Sequence, residues 1–414
     1  MNTLTLAWRF LWSRPLGALL NVLLLGLGLA SMSFLLLVGH QISQAFERDL
    51  AGVDAVVGAK GSPLQLILSG VLHLDVPPGN IPYSSLADLS ANPMLASVIP
   101  LSLGDNFQGF HVVGTSLDYL QLYRGNLASG ALWTQPMQAV VGATAARMSG
   151  LHVGSTFAGA HGLGGGGHAH ARHPYTAVGV LQPTGSVLDR LILTDTASVW
   201  SVHASAEPAA NPSAGAVHDD DEGHADAAKH HEAPREITMV LVRYKSPLAA
   251  VSFPRAINTG TQLQAAVPAL EITRLLRVLG VGSDVLRTFA AALLITAALS
   301  VFMAQLHAVR ERRAELAVWR LLGASPRRVV GLLVTEALWV GVLATLLGLA
   351  AGQGGLALIA WLLQLDHSLL IGGLTWPYSL WAVPAVAFVL TLAATLIPAL
   401  AAYRVSVLQL LHTR

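Results

Sequence analysis

Residues Arg310–Gly352 read RERRAELAVWRLLGASPRRVVGLLVTEALWVGVLATLLGLAAG, a basic, turn-rich segment that runs directly into a long apolar stretch. Gly323, Ser325 and Pro326 interrupt the segment, and arginines lie on both sides of them. A passive membrane anchor needs only an apolar span, whereas this stretch places an ordered, charged element beside one. The stretch therefore predicts a membrane protein that grips another protein at the membrane surface.

The composition of the whole chain agrees with a membrane protein. Of its 414 residues, 53% are hydrophobic and only 11% are charged, whereas a soluble domain has about 25% charged residues. The absence of cysteine excludes disulfides, cysteine-ligated zinc sites and thiol catalysis. These values predict a membrane protein with a sizeable polar part.

Four apolar runs are long enough to cross a bilayer, which takes about 20 residues. We place the spans at residues 16–40, 284–309, 329–363 and 376–403. The first run leads into Phe46-Glu47-Arg48 and lacks the small-residue cleavage pattern of a secretory signal. We therefore expect it to be a retained transmembrane helix.

The distribution of basic residues predicts the orientation, because cytoplasmic segments carry an excess of lysine and arginine. With the N-terminus inside, the inner segments hold ten arginines against two glutamates, a net charge of +8. The region between the first two spans, residues 41–283, holds 13 basic and 18 acidic residues, a net charge of −5. We expect residues 1–15, 310–328 and 404–414 to be cytoplasmic, and residues 41–283 and 364–375 to lie outside.

Residues 41–283 alternate short β-like runs with turn signals, a pattern typical of a mixed α/β domain. The clearest strand-like runs are Gln138–Gly142, Tyr175–Leu181, Leu191–Thr194 and Ile237–Tyr244. The clearest helical runs are Ser84–Ala91 and Ala143–Ser149.

Two histidine-rich segments interrupt this domain, at residues 161–173 and 203–235. Their composition cannot bury enough apolar surface for ordered structure, so we expect mobile loops. Imidazole binds zinc, copper and nickel, and the candidate ligands are His161, His168, His170, His173, His218, His224, His230 and His231. Because the spacing matches no rigid zinc site, weak binding of divalent metal and a solvated linker both remain open.

Glycine motifs and catalytic motifs give a more limited picture. Gly348 and Gly352 form a G-x-x-x-G pattern that permits close helix contact, either at a dimer seam or within the chain. The glycine run Gly164–Gly167 is not a phosphate-binding loop, because His168 follows it where such a loop has lysine. No catalytic triad order or H-E-x-x-H motif stands out, so we expect neither an enzyme nor a nucleotide site of its own.

Three stretches carry a family resemblance. Leu322–Val329 reads LGASPRRV and is followed by Glu336-Ala337-Leu338, and Pro398–Leu411 reads PALAAYRVSVLQLL. Ala139–Phe157 lies in the outer domain. The three stretches resemble the FtsX/MacB-type permeases of ABC transporters, a four-span, type VII-like (LolC/LolE-like) family, although Val407 stands where that family usually has proline.

This resemblance implies an α-helical membrane protein with four transmembrane helices and a large mixed α/β periplasmic domain inserted between helices 1 and 2. Residues 1–15 are then an amphipathic helix on the inner surface of a bacterial inner membrane. Partners implied are a cytoplasmic ABC ATPase, which binds ATP and Mg²⁺, and a second permease copy, in a homodimer rather than a heterodimer. The ATPase-facing surface carried over from the family is Glu311, Arg312, Arg313, Glu315, Arg320, Gly323, Ser325, Pro326, Arg327 and Arg328.

The expected function is mechanotransmission, in which ATP hydrolysis by the partner moves the periplasmic domain and drives export or extraction of a periplasmic or membrane substrate. The histidine-rich loops favour a metal-linked cargo, with zinc as the first candidate. An alternative is a non-transporting regulator of a periplasmic enzyme, or a periplasmic metal sensor. A periplasmic or outer-membrane partner fits either hypothesis, and no nucleic-acid partner is expected.

Overall fold

The computed structural model describes residues 3–13, 15–161, 173–204, 235–311, 325–365 and 375–403. The chain divides into two compact units. The helical unit contains the described parts of Met1–Gln44, Arg277–Leu365 and Ile371–Arg414, and the mixed unit contains those of Ala45–Leu276.

The described elements are numbered here in chain order. The helices are α1 Thr3–Leu11, α2 Pro15–Asp49, α3 Pro63–Gly70, α4 Ser84–Ser90, α5 Asp118–Leu122, α6 Ala143–Ser149, α7 Thr196–Ala204, α8 Pro247–Gly260, α9 Pro268–Glu311, α10 Pro326–Leu365 and α11 Ala382–Tyr403. The strands are β1 Ala55–Ala59, β2 Ile81–Pro82, β3 Leu95–Phe107, β4 Phe110–Thr115, β5 Leu127–Gly130, β6 Gln138–Val141, β7 Thr156–Phe157, β8 Ala160–His161, β9 Tyr175–Leu181, β10 Ile192–Asp195, β11 Glu236–Ile237, β12 Met239–Tyr244 and β13 Leu263–Ala266. Val187–Arg190 and Tyr378–Trp381 form short 3-10 turns.

Four helices in the described chain are long and apolar enough to cross a membrane, which confirms the predicted number. The qualifying stretches are Pro15–Asp49, Asp284–Glu311, Arg327–Leu362 and Tyr378–Leu400. Proline begins both α2 and α10, where its missing N–H costs nothing because the first turn of a helix has no intrahelical acceptor for that group.

Two of these helices are longer than a bilayer requires. With 35 residues in α2 and 44 in α9, a rise of 1.5 Å per residue gives lengths of about 50 and 65 Å, against a hydrocarbon core of about 30 Å. In each helix, part of the length beyond that needed for the span lies at the end that belongs to the mixed unit. The last residues of α2, Ala45–Asp49, and the first residues of α9, Pro268–Leu276, belong to the mixed unit.

The mixed unit is built on one large sheet. Within the described residues the strand order is β13-β1-β12-β3-β4-β10-β6-β9-β5, with β7 paired to β9 and β8 to β3. The pairs β4–β10 and β6–β9 are parallel, and the others are antiparallel. A separate two-stranded sheet pairs β11 with β2. The mixed α/β class predicted from the sequence is therefore confirmed.

Alternation of side chains along the strands creates a core on each face of the sheet. Val56 and Leu241 enter one core with Tyr119, while their neighbours Val57 and Val240 enter another. Farther along the sheet, Val112, Val141 and Tyr175 belong to a third cluster, on the same face as Phe110 and Ile192. Strands such as β1, β6 and β12 therefore bury both of their faces, which explains their near-continuous apolar runs in the sequence.

Most strand and helix predictions agree with the structure, and the differences have local causes. The run Ile237–Tyr244 is split at Thr238 into β11 and β12, because the Thr238 hydroxyl accepts the Leu103 N–H at 2.9 Å and so replaces a regular ladder bond. The segment predicted as a loop over residues 203–235 begins later, since α7 continues to Ala204. Arg235, at its other end, lies over the Trp200 ring at 5.3 Å.

Candidate functional site

The predicted ATPase-facing segment is described at its two ends. Glu311 is the exposed last residue of α9, and Ser325, Arg327 and Arg328 are exposed at the start of α10. The Ser325 carbonyl accepts the Arg328 N–H at 3.0 Å, which begins the helix. Pro326 is the first residue of α10, and Arg312, Arg313, Glu315, Arg320 and Gly323 lie outside the described residues.

A small apolar cluster holds the two ends of this segment together. Val309 of α9 packs with Val329 and Leu333 of α10, and all three side chains are buried. The cluster therefore joins the end of α9 to the start of α10.

The N-terminal helix α1 packs on the same helix α10. Ala7 and Leu11 are buried, and the Trp8 and Trp339 rings meet edge to face with centroids 4.9 Å apart. Trp12, just beyond the end of α1, is exposed and its ring centroid lies 5.8 Å from that of Trp8. An amphipathic helix with exposed tryptophan is typical of a segment lying in the membrane interface.

Glycines let α2 and α10 approach closely. A β-carbon at Gly348 would lie 2.7 Å from the Leu29 β-carbon, and one at Gly352 would overlap the Ser33 hydroxyl. Ser33 Oγ donates a hydrogen bond to the Gly348 carbonyl at 3.0 Å. The G-x-x-x-G face therefore packs within the chain, which favours that alternative over a dimer seam at these glycines.

Polar side chains join the same helices at other levels. Ser300 of α9 donates to the Asn21 side chain of α2 at 3.1 Å. Gln41 of α2 donates to the Thr375 hydroxyl, and Gln353 of α10 to the Thr375 carbonyl, each at 3.1 Å. Side-chain hydrogen bonds between helices add about 1 kcal/mol or less each in a membrane, so they fix the helix register more than they stabilise the unit.

The outer ends of α2 and α9 enter the core of the mixed unit. Phe46 and Leu50 pack against that core from the end of α2, and Ile272 and Leu275 from the start of α9. Both helices therefore end in the packed interior of the mixed unit and are not attached to it by loops.

Asp49, the last residue of α2, is held by three groups from distant parts of the mixed unit. Its carbonyl accepts the Tyr123 hydroxyl at 2.8 Å, and its carboxylate accepts the Val187 N–H at 2.8 Å. Arg190 lies 4.0 Å from the other carboxylate oxygen, and both side chains are buried. We call Asp49, Tyr123, Val187 and Arg190 the helix anchor.

Two family models match the chain. A model described as FtsX-like permease C-terminal matches residues 287–407, and one described as MacB-like periplasmic core domain matches residues 18–250. The chain belongs to the FtsX/MacB permease family. Permeases of this family are membrane subunits of ABC transporters and work with a cytoplasmic ABC ATPase that is a separate partner.

Solved structures similar to this permease cover its mixed unit. The periplasmic region of MacB from Actinobacillus actinomycetemcomitans is 12% identical, with 55% of this chain and 95% of that chain covered and a TM-score of 0.34. The extracellular domain of the noncanonic ABC-type transporter YknZ from Gram-positive bacteria is 11% identical, with 51% and 97% covered and a TM-score of 0.30. A domain of a Porphyromonas gingivalis permease protein is 12% identical, with 53% and 88% covered and a TM-score of 0.27. No curated protein matches the permease by sequence.

The structure describes only two of the eight predicted metal ligands. His161 is the last residue of β8 and pairs with Asp105 of β3, and His173 lies two residues before β9. The other six, His168, His170, His218, His224, His230 and His231, lie outside the described residues. Among the residues that the structure does describe, no three histidine, aspartate or glutamate side chains come together in a group able to hold a metal ion.

Sequence reasoning missed the helix anchor and the close histidine pair His73 and His111, of which His73 is buried. The anchor joins residues up to 138 positions apart, and no motif marks them. The one available signal is a charged pair in an apolar stretch of sequence, as at Asp189-Arg190-Leu191. Such a pair indicates a buried ionic contact, because buried charges need partners.

Proposed function

We propose that this permease transmits the work of ATP hydrolysis from a cytoplasmic ATPase to its mixed domain, across a bacterial inner membrane. Both termini and residues 310–328 then face the cytoplasm, and the mixed domain lies in the periplasm. The net charges of +8 and −5 on the two sides support this orientation.

The observation that carries the proposal is the continuity of α2 and α9. Each is one helix from its apolar span to the core of the mixed unit, with Phe46 and Ile272 packed there. Because helices are stiff along their axes, a displacement at the Val309–Val329–Leu333 cluster is carried along α9. A loop between span and domain would absorb such a displacement.

The work done on the periplasmic side is export or extraction of a periplasmic or membrane substrate, by two permease copies in a homodimer. The eight loop histidines favour a metal-linked cargo, since imidazole is the common side-chain ligand of zinc and copper. ATP and Mg²⁺ act in the partner.

The test is ATP hydrolysis by the purified complex in detergent, formed by co-expression with the ATPase encoded beside the permease. We expect a stable complex in which the permease changes the hydrolysis rate. Replacing Arg327 and Arg328 together by glutamate should weaken the complex and lower that rate several-fold, because both side chains are exposed at the predicted ATPase surface.

Arg255→Glu is the matched control, since Arg255 is equally an exposed helical arginine but lies on α8 of the mixed unit. It should leave complex formation and hydrolysis unchanged. Failure of the unaltered permease to bind any ATPase, or equal effects of the two charge reversals, would contradict the proposal.

A further inference from the structure

A small polar cavity lies inside the mixed unit, and none of the eight predicted metal ligands is among its lining residues. Its volume is about 100 Å³, and polar side chains from α3, the following loop and the β3–β4 hairpin line it. These are Ser69, His73, Asp75, Asp105, Asn106 and His111. Asn106 and His111 face each other across β3 and β4 as a register pair.

His73 presents an unsatisfied nitrogen at this cavity. Its side chain is only 6% exposed. Nε2 lies 3.1 Å from the Tyr119 hydroxyl, whereas Nδ1 has no hydrogen-bond partner among the described groups. A buried polar atom without a partner is unfavourable, so an occupant that bonds to Nδ1 would stabilise the site.

His111 is placed to share such an occupant. Its ring centre lies 6.0 Å from that of His73, with the planes inclined at 41°. Its ring also hydrogen-bonds to the His73 main chain. Histidines that bind metals commonly have their second ring nitrogen fixed by a backbone or side-chain partner, and here Tyr119 and the His73 backbone fill those roles.

The spacing of the two rings suits one shared ion. Zinc binds histidine nitrogen at about 2.0–2.1 Å, so two rings on one tetrahedral ion have centres about 5–6 Å apart. A cavity of about 100 Å³ also leaves room for water on the same ion.

Metal ions bind the neutral form of imidazole, and the surroundings of both rings favour that form. Burial lowers the pKa of His73 well below its usual range, and His111 and Arg190 lower it further. Burial and then Arg190 lower the pKa of His111, against the opposite effect of its hydrogen bond to His73. Both shifts favour the neutral ring, which is the form that binds a metal ion through its nitrogen lone pair.

Arg190 is the main electrostatic opposition to a bound cation. Its charge is offset by Asp49, whose carboxylate lies 4.0 Å away. Asp75 and Asp105 also line the cavity, so the site as a whole is not electropositive.

We propose that His73 and His111 form a two-imidazole site for a divalent transition-metal ion such as Zn²⁺, with water in the remaining coordination positions. Structural zinc sites are closed by four protein ligands; no group of three candidate ligands occurs in the described residues. The site is therefore an open, exchangeable one. It uses none of the eight loop histidines and does not depend on the proposed coupling to an ATPase.

The test uses the full-length permease in detergent, in a background where the eight loop histidines are replaced by serine. Co²⁺ absorption and Zn²⁺ equilibrium dialysis measure binding in this background and in two site variants. His73→Asn suits the left-handed backbone at this position, where φ is 50°, because asparagine tolerates that region. His111→Gln retains an amide donor for the His73 main chain. His152→Gln, an exposed histidine of the same unit, is the control.

We expect one ion per chain in the background, at least tenfold weaker binding in either site variant, and no change in His152→Gln. Thermal unfolding identifies variants that have lost their fold. Should both site variants unfold, pulsed electron paramagnetic resonance of the Cu²⁺-loaded background protein decides the question. Two coordinated imidazole nitrogens support the site. No ion bound in the background, unchanged binding in folded site variants, or fewer than two imidazoles would overturn it and leave a cavity filled by water.

Discussion

Individual residues decide how firmly α2 is held by the mixed unit. At the end of a helix the last carbonyls have no intrahelical donor, and the Asp49 carbonyl obtains one from the Tyr123 hydroxyl at 2.8 Å. Burial raises the pKa of Tyr123 far above its usual range, with the charge of Asp49 acting in the same direction. The phenol therefore remains a donor at every physiological pH.

Tyr123→Phe should destabilise the mixed unit by about 1–3 kcal/mol, because it leaves a buried carbonyl without a donor. A lower midpoint in thermal unfolding of the full-length chain in detergent would show this. Tyr83→Phe is the control, since Tyr83 is 39% exposed and its ring contact with Trp200 survives the change. Equal midpoints for the two variants would contradict the assigned role of Tyr123 in the helix anchor.

At the scale of elements, the contact between α2 and α10 depends on glycine. Gly352→Ala places a methyl group against Ser33, in a face where the Gly348 backbone already meets Leu29. Overpacking of this kind typically costs about 1–3 kcal/mol, so we expect a lower unfolding temperature in detergent.

Gly354→Ala is the matched comparison two positions along the same helix. A β-carbon there has no neighbour within 4 Å, and alanine favours helix over glycine by about 1 kcal/mol. This variant should be neutral or more stable. A loss of stability in Gly354→Ala equal to that in Gly352→Ala would show that the close approach of α2 and α10 is not what the glycines provide.

The sequence predicts the elements well and their partners poorly. Membrane spans are predicted from the length of an apolar run, and strands from short apolar or alternating runs. Both signals depend only on residues that are neighbours in the sequence. The G-x-x-x-G pattern predicted that Gly348 and Gly352 permit a close contact, but it did not identify Ser33 as the partner. Asp49 and Val187 are 138 residues apart, and His73 and His111 meet only because the β3–β4 hairpin lies beside α3. Such pairs depend on topology, which no local pattern encodes.

At the scale of the whole chain, α2 and α9 each run from an apolar span into the mixed unit, and α9 ends where the arginine-rich segment begins. The family match establishes what kind of subunit it is. The direction of the proposed transmission of work depends on which face of the membrane holds each part, and the distribution of charge is the physical basis for assigning those faces.

Labelling of single cysteines with a membrane-impermeant maleimide decides which side of the membrane holds each of these two parts. The permease has no cysteine of its own, so each introduced thiol is unique. Ser325→Cys reports on the segment before α10, and Ser90→Cys on the mixed unit; both positions are exposed. Once the outer membrane is permeabilised, the account predicts labelling at position 90 in otherwise intact cells and at position 325 only after the inner membrane is opened. Labelling at position 325 from the outside, with position 90 protected, would contradict it.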